Sequence, residues 1–91
     1  MDERPTITIT YCTACNFTAR AAWLAQELLH TFHEQISGVL IVPGTGGVLD
    51  VALGERIVYS KADVGRDPSI KELRDALYEM LPGTGQRPHG L

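Results

Sequence analysis

The segment Thr6-Ile7-Thr8-Ile9-Thr10-Tyr11-Cys12-Thr13-Ala14-Cys15-Asn16-Phe17 passes from a strand period to a helix period across two cysteines. Ile7, Ile9 and Tyr11 alternate with three threonines, the pattern of a strand buried on one face only. Past the cysteines, Asn16 is a suitable N-cap. Phe17, Ala21, Leu24, Leu28 and Phe32 then recur at helical spacing with Ala25, Leu29 and Ile36 beside them, which predicts an amphipathic helix from about Phe17 to Gln35. Trp23 falls off the apolar stripe, on the side of Arg20, Glu27, His30 and Glu34. It is expected to be partly exposed, either as a docking or dimer patch or as a ring lying over long polar side chains.

Outward from this junction, Val39-Leu40-Ile41-Val42 is a continuous apolar run closed by Pro43-Gly44-Thr45-Gly46-Gly47, which predicts a central strand buried on both faces and then a loop. Strand, helix, strand makes a right-handed β-α-β unit. Leu49, Val51 and Leu53 alternate, Gly54-Glu55 supplies a two-residue turn, and Arg56 to Ser60 returns as the second arm of a hairpin. Asp67 and Pro68 read as N-cap and first residue of a closing helix striped by Ile70, Leu73, Leu77, Met80 and Leu81. The expected fold is therefore α/β: a two-layer sandwich of order β-α-β-β-β-α, with a mixed four-stranded sheet and both helices on one face, and the thioredoxin-like class fits it. A single domain is expected over residues 1–81, with a flexible tail over 82–91.

At 91 residues the chain has room for one small core. A hydrophobic fraction of 44% with 21% charge is ordinary globular composition and sets disorder aside. A net charge of −3, with no two Lys or Arg adjacent, offers no basic face, so nucleic acid and anionic membranes are not expected partners. The longest apolar run is far short of a membrane span, and the charged start Met1-Asp2-Glu3-Arg4-Pro5 lacks the apolar core of a signal peptide; a cytoplasmic protein is expected.

Cys12 and Cys15 are the whole cysteine inventory. A structural disulfide closing so short a loop is worth about 2 kcal/mol in the chain-entropy model and is disfavoured in a reducing cytosol. Half a zinc site is the next alternative, but its only partners, His30 and His33, lie too far along the helix, about 27 Å past Cys15 in the case of His33. No metal is expected, and His30 and His33 read as solvated. What remains is a dithiol that cycles: one thiolate attacks a substrate and the other resolves the mixed disulfide, at a helix N-terminus that favours the thiolate. Topology gathers further candidates around the pair. Thr13 and Ala14 lie between the cysteines, Pro43 and Gly44 end the neighbouring parallel strand, and the returning hairpin brings Lys61 and Arg66 to the same edge as partners for a thiolate or for the carboxylates of glutathione.

Four separated stretches carry a family resemblance: Tyr11-Cys12-Thr13-Ala14-Cys15, Arg20-Ala21-Ala22-Trp23-Leu24-Ala25-Gln26-Glu27-Leu28-Leu29, Pro43-Gly44-Thr45-Gly46-Gly47 and Val58-Tyr59-Ser60-Lys61. In sequence and spacing the chain resembles the bacterial, cysteine-containing members of the selenoprotein W-related family, also called the Rdx or SelT/SelW/SelH group. The resemblance implies a thioredoxin-like fold and a role in glutathione-linked antioxidant defence or redox regulation, with glutathione as a co-substrate, or a thioredoxin-type reductant, and no tightly bound cofactor. Selenium-containing relatives carry selenocysteine at the position of Cys15, whereas thioredoxins attack with the first cysteine, which leaves the order of attack open; Cys15, expected closest to the helix N-terminus, is favoured as the reactive group with Cys12 as its resolving partner. The chain departs from its relatives at Asp67, where an aromatic residue is expected, and near the end, where His89 stands in Pro88-His89-Gly90. The functional expectations are a thiol–disulfide oxidoreductase or glutathione-dependent peroxide reductase and, alternatively, a redox-sensitive binding module that reacts once without turnover.

Overall fold

A computed structural model describes residues 3–81, so the tail expected over 82–91, with His89, lies outside the described residues. The elements follow the expected order with one addition: β1 (Thr6–Cys12), α1 (Thr18–Phe32), β2 (Gly38–Gly44), β3 (Leu49–Leu53), β4 (Arg56–Ser60), a helical turn α2 (Lys61–Val64) and α3 (Ile70–Met80). The sheet order is β2-β1-β3-β4, with β1 parallel to β2 and antiparallel to β3, and β3 antiparallel to β4. This is the mixed sheet of a thioredoxin-like fold.

Alternation along β1 sends Ile7, Ile9 and Tyr11 into the core, where β3 adds Leu49, Val51 and Leu53 and β4 adds Tyr59. Onto that face α1 lays Ala21, Leu24, Ala25, Leu28 and Phe32, and α3 lays Leu73 and Leu77. Each Leu, Ile or Phe so buried contributes about 1.5–3 kcal/mol of transfer free energy. A latch on the outside joins the helices: Arg74 Nη2 donates to Glu27 Oε1 at 3.0 Å and Arg74 Nε to Thr31 Oγ1 at 3.2 Å.

Four expectations are corrected. The Val39–Val42 run is not a central strand: β2 is an edge, and Leu40 is 54% exposed. Helices cover only one face of the sheet, so Val39 and Ile41 pack on the core while Leu40, one residue out of phase, points to the open side. The edge position also accommodates Pro43, which cannot donate to a ladder. Helix α1 ends at Phe32 rather than near Gln35, and Leu29, read as part of its apolar stripe, is exposed. The expected order has no helix between β4 and the closing helix, yet the stretch after β4 begins with α2. Finally, α3 is capped by Ser69 and not by Asp67: the Ser69 side chain accepts from the Glu72 amide, and the Glu72 carboxylate accepts from the Ser69 amide. Trp23 is 48% exposed, as its position off the stripe requires.

Candidate functional site

The end of β1 delivers Cys12 into the protein and the following turn lifts Cys15 out of it. Cys12, in register with Gly44 of β2, is 1% exposed, whereas Cys15 is exposed. Both are free thiols, and Cys15 Sγ donates its proton toward Cys12 Sγ at 2.7 Å. A disulfide needs the sulfurs to approach by only about 0.7 Å more.

The turn that carries Cys15 is closed by Asn16, whose φ of 61° lies in the left-handed region and whose amide donates to the Thr13 carbonyl at 3.2 Å. Asn16 is therefore not the N-cap it was expected to be. That place belongs to Phe17, which offers no side-chain cap. Asparagine suits both roles, and here the reversal from strand to helix claims it.

Two ties fix the turn to the end of β2. The Thr13 amide donates to the Gly44 carbonyl at 3.2 Å, and Thr13 Oγ1 donates to the same oxygen at 3.4 Å. Gly44 must be glycine for this approach, since a Cβ there would stand 2.9 Å from Val48 Cγ1 and 3.3 Å from the Tyr11 carbonyl. Beyond it, Gly46 and Gly47 adopt φ values of 71° and 76° and turn the Gly47 amide toward the sulfurs. Thr13 and Ala14, between the cysteines, are exposed, as is Pro43, which pairs with Tyr11 at the end of β2, while Gly44 is half-buried.

The electrostatics of the pair are asymmetric. The Cys12 thiol is held below its ordinary value, first by the hydrogen bond it receives from Cys15 and then by the amides of Gly47, Cys15 and Ala14. The Cys15 thiol is held above its ordinary value because its proton is engaged by Cys12, with burial and the developing charge on Cys12 adding to the effect; the Lys61 cation and the Gly47 amide act the other way. The Cys15 proton lies between the two sulfurs, so the titration of one thiol depends on the state of the other. The amides directed at Cys12 come from the turn and the glycine loop rather than from the first turn of α1.

The two expected cations have different surroundings. Lys61, at the start of α2, sits with Nζ 4.6 Å from the centroid of the Phe17 ring and 3.0 Å from Asp67 Oδ1. Arg66 instead forks onto Glu72, at 2.7 Å and 2.6 Å, and donates to the Asp67 carbonyl at 3.2 Å. It thereby braces the start of α3. His30 on α1 and His33 at its C-cap are exposed. Gly47, Phe17 and Asp67 are site residues that sequence reasoning did not select; the Gly46-Gly47 pair, directly after a strand end adjacent to the cysteines, was the readable signal for the first.

The sequence profile of the Rdx family matches residues 6–79. Among solved structures, a protein of Bordetella parapertussis is similar at 39% identity with a TM-score of 0.84, over 87% of this chain and 100% of its own. A selenoprotein W-related protein of Vibrio cholerae is similar at 36% identity with a TM-score of 0.81, over 86% of this chain and 98% of its own. No curated protein sequence matches the chain.

Proposed function

The chain belongs to the Rdx family, and on that premise we propose that it is a thiol–disulfide redox protein in which Cys15 attacks a substrate disulfide and Cys12 resolves the product. A redox-related role is what the family implies, and the finer assignment is supported by one observation above the rest: an exposed sulfur lies 2.7 Å from a buried one. An intermolecular disulfide forms at a sulfur that a second molecule can reach, and the buried neighbour is suited to the second, intramolecular step.

The cycle starts from the pair that has lost one proton to solvent, with the thiolate on Cys12: as the Cys15 sulfur attacks one sulfur of R–S–S–R′, its proton passes to Cys12, the Cys15–S–R bond forms, the S–S bond breaks and R′–S⁻ leaves to be protonated by solvent. Cys12 then gives up that proton to solvent, from which the departing R–S⁻ is protonated, and its thiolate attacks Cys15 Sγ, breaking the Cys15–S–R bond. The Cys12–Cys15 bond forms, R–S⁻ leaves, and two electrons have moved from protein to substrate. Glutathione, as two thiols, or a thioredoxin-type dithiol returns them. Thr13, Ala14, Pro43 and Gly44 form the rim that a substrate meets, and Lys61 supplies the cation. Arg66 supports this rim indirectly, through Glu72. No tightly bound cofactor enters the cycle. Among the described residues no helix is long and apolar enough to cross a membrane, and a reducible dithiol suits the cytoplasm.

Turnover of a small disulfide under a glutathione supply, with residue-resolved alkylation, tests the reading. Cys15→Ser is expected to abolish turnover and rapid alkylation, and Cys12→Ser to leave a reactive thiol that accumulates as a mixed disulfide with glutathione. Equal loss in both variants with no trapped adduct overturns the roles. A single round of oxidation without turnover points instead to a redox-sensitive binding module.

A further inference from the structure

One charged cluster beside the dithiol is left over by the cycle just described. Asp67 sits in the linker between α2 and α3 and has a cation on either side: Lys61 Nζ at 3.0 Å from Oδ1 and Arg20 Nε at 3.6 Å from Oδ2. Arg20 is anchored separately, donating through Nη2 to the Pro68 carbonyl at 3.3 Å. Lys61 has Asp67 on one side and the Phe17 ring, two residues beyond Cys15, on the other. Asp67 Oδ1 is shielded from solvent and holds no hydrogen bond; the Lys61 contact meets ion-pair distance without hydrogen-bond geometry. A lysine stem has four rotatable bonds, and a solvated ammonium leaves such a surface unless something retains it.

We propose that Asp67 is a positioning residue of the redox site, retaining the Lys61 ammonium against the Phe17 ring so that its charge stands beside Cys15 instead of in solvent. The proposal rests on the reading of Cys15 as the attacking thiol. Lys61 is the cation that acts on the Cys15 thiol, favouring its thiolate against the opposing effect of Cys12. The other charged groups around the cluster are engaged or exposed: Arg20 is held by Asp67 and Pro68, Arg66 and Glu72 hold one another, and Asp63 on α2 is exposed to solvent. The ring contributes as well, because an ammonium over an aromatic face is attracted by its quadrupole.

The sign of the effect separates positioning from simple charge. Deleting a carboxylate near a thiol, with every other group fixed, favours the thiolate and moves its titration to lower pH. Deleting a carboxylate whose work is to hold a cation moves it to higher pH, because the cation departs. The experiment is the rate of Cys15 alkylation by iodoacetamide as a function of pH, resolved by mass spectrometry, in the wild type, Asp67→Ala, Lys61→Met and the double variant, with far-ultraviolet circular dichroism to verify folding. Both single variants are expected to raise the midpoint and to slow alkylation at neutral pH by about threefold, the equivalent of about half a pH unit. The double variant is expected to be no slower than Lys61→Met, since Asp67 acts through Lys61. If Asp67→Ala does not fold, Asp67→Asn, which discharges the group but keeps an acceptor, must still move the midpoint upward. A midpoint that falls or stays put while Cys15 remains the first thiol modified overturns the positioning role alone. Modification of Cys12 ahead of Cys15 in every variant overturns the assignment of the attacking thiol, and the positioning role with it.

Discussion

The approach of two backbones at Gly44 is the tightest residue-level requirement of the site. An alanine Cβ there would lie 2.9 Å from Val48 Cγ1, 3.1 Å from Thr10 Cγ2 and 3.3 Å from the Tyr11 carbonyl. Val48 can shift, but the carbonyl belongs to the central strand and cannot. Gly44→Ala is therefore expected to push β2 and the glycine loop away from the turn, to cost about 1–3 kcal/mol in urea unfolding, and to raise the titration of Cys12 as the Gly47 amide withdraws. An unchanged urea midpoint and thiol profile would refute the close-approach argument. Asn16 is the other constrained position, with φ at 61°. Asn16→Gly should unfold within a few tenths of a kcal/mol of the wild type, whereas a β-branched valine should cost about 1–2 kcal/mol. The cysteines themselves were fully legible, since few functions use a lone Cys-x-x-Cys between a strand and a helix. The role of Asn16 was not, because the same short amide that caps helices also tolerates left-handed backbone, and only the path of the chain decides between them.

Among the elements, α3 has the best-defined start. Ser69 and Glu72 cap one another, and Arg66 forks onto the same carboxylate. The Glu72 carboxyl is accordingly held down to about 2, first by the Arg66 hydrogen bonds and then by the Ser69 amide. A carboxyl depressed in the folded state stabilises the fold above its unfolded value, and that contribution disappears as pH falls through the folded value. Stability owed to Glu72 should thus be complete above the unfolded value near 4.5 and be lost between there and about pH 2. Glu72→Gln keeps the cap and removes the charge, so its melting temperature should lie below that of the wild type at neutral pH and converge with it toward pH 2. Parallel curves across that window would show that the Arg66 fork contributes nothing. Ser69→Ala removes the cap and should cost about 1 kcal/mol at any pH. The capping signal Ser69-Ile70-Lys71-Glu72 was present in the sequence, but Asp67-Pro68 two residues earlier offered an equally good start. The structure turns Asp67 toward Lys61 and Arg20 instead. Helix α2, at four residues, is too short for any hydrophobic period to announce it.

At the scale of the whole molecule, a four-stranded sheet with helices on one side keeps its other side open. The order of elements predicted that asymmetry, and the apolar run in β2 argued against it. Runs apolar on both faces signal a strand buried on both faces in sheets with two helical layers; in a two-layer fold the same run leaves one set of side chains outside. Register places Leu40, Thr8, Ala52 and Ile57 in one row across the open face, with Leu40 at 54% and Ile57 at 63% exposure on the two edge strands. Thr8 puts a hydroxyl in the row and Ala52 only a methyl group, and threonine supplies the strand propensity without the need for burial. If this face meets only water, Leu40→Thr and Ile57→Thr should each change the unfolding free energy by less than about 0.5 kcal/mol, whereas Leu28→Ala, on the buried face of α1, should cost about 2–5 kcal/mol. Urea unfolding at two protein concentrations decides the matter. A Leu40→Thr cost approaching that of Leu28→Ala, present only at the higher concentration, would mean that the open face is covered by a second copy of the chain. The cost of Leu28→Ala relative to the wild type is expected at both concentrations, because Leu28 lies with Ile7, Ile9, Val51, Leu73 and Leu77 in the buried cluster between helices and sheet.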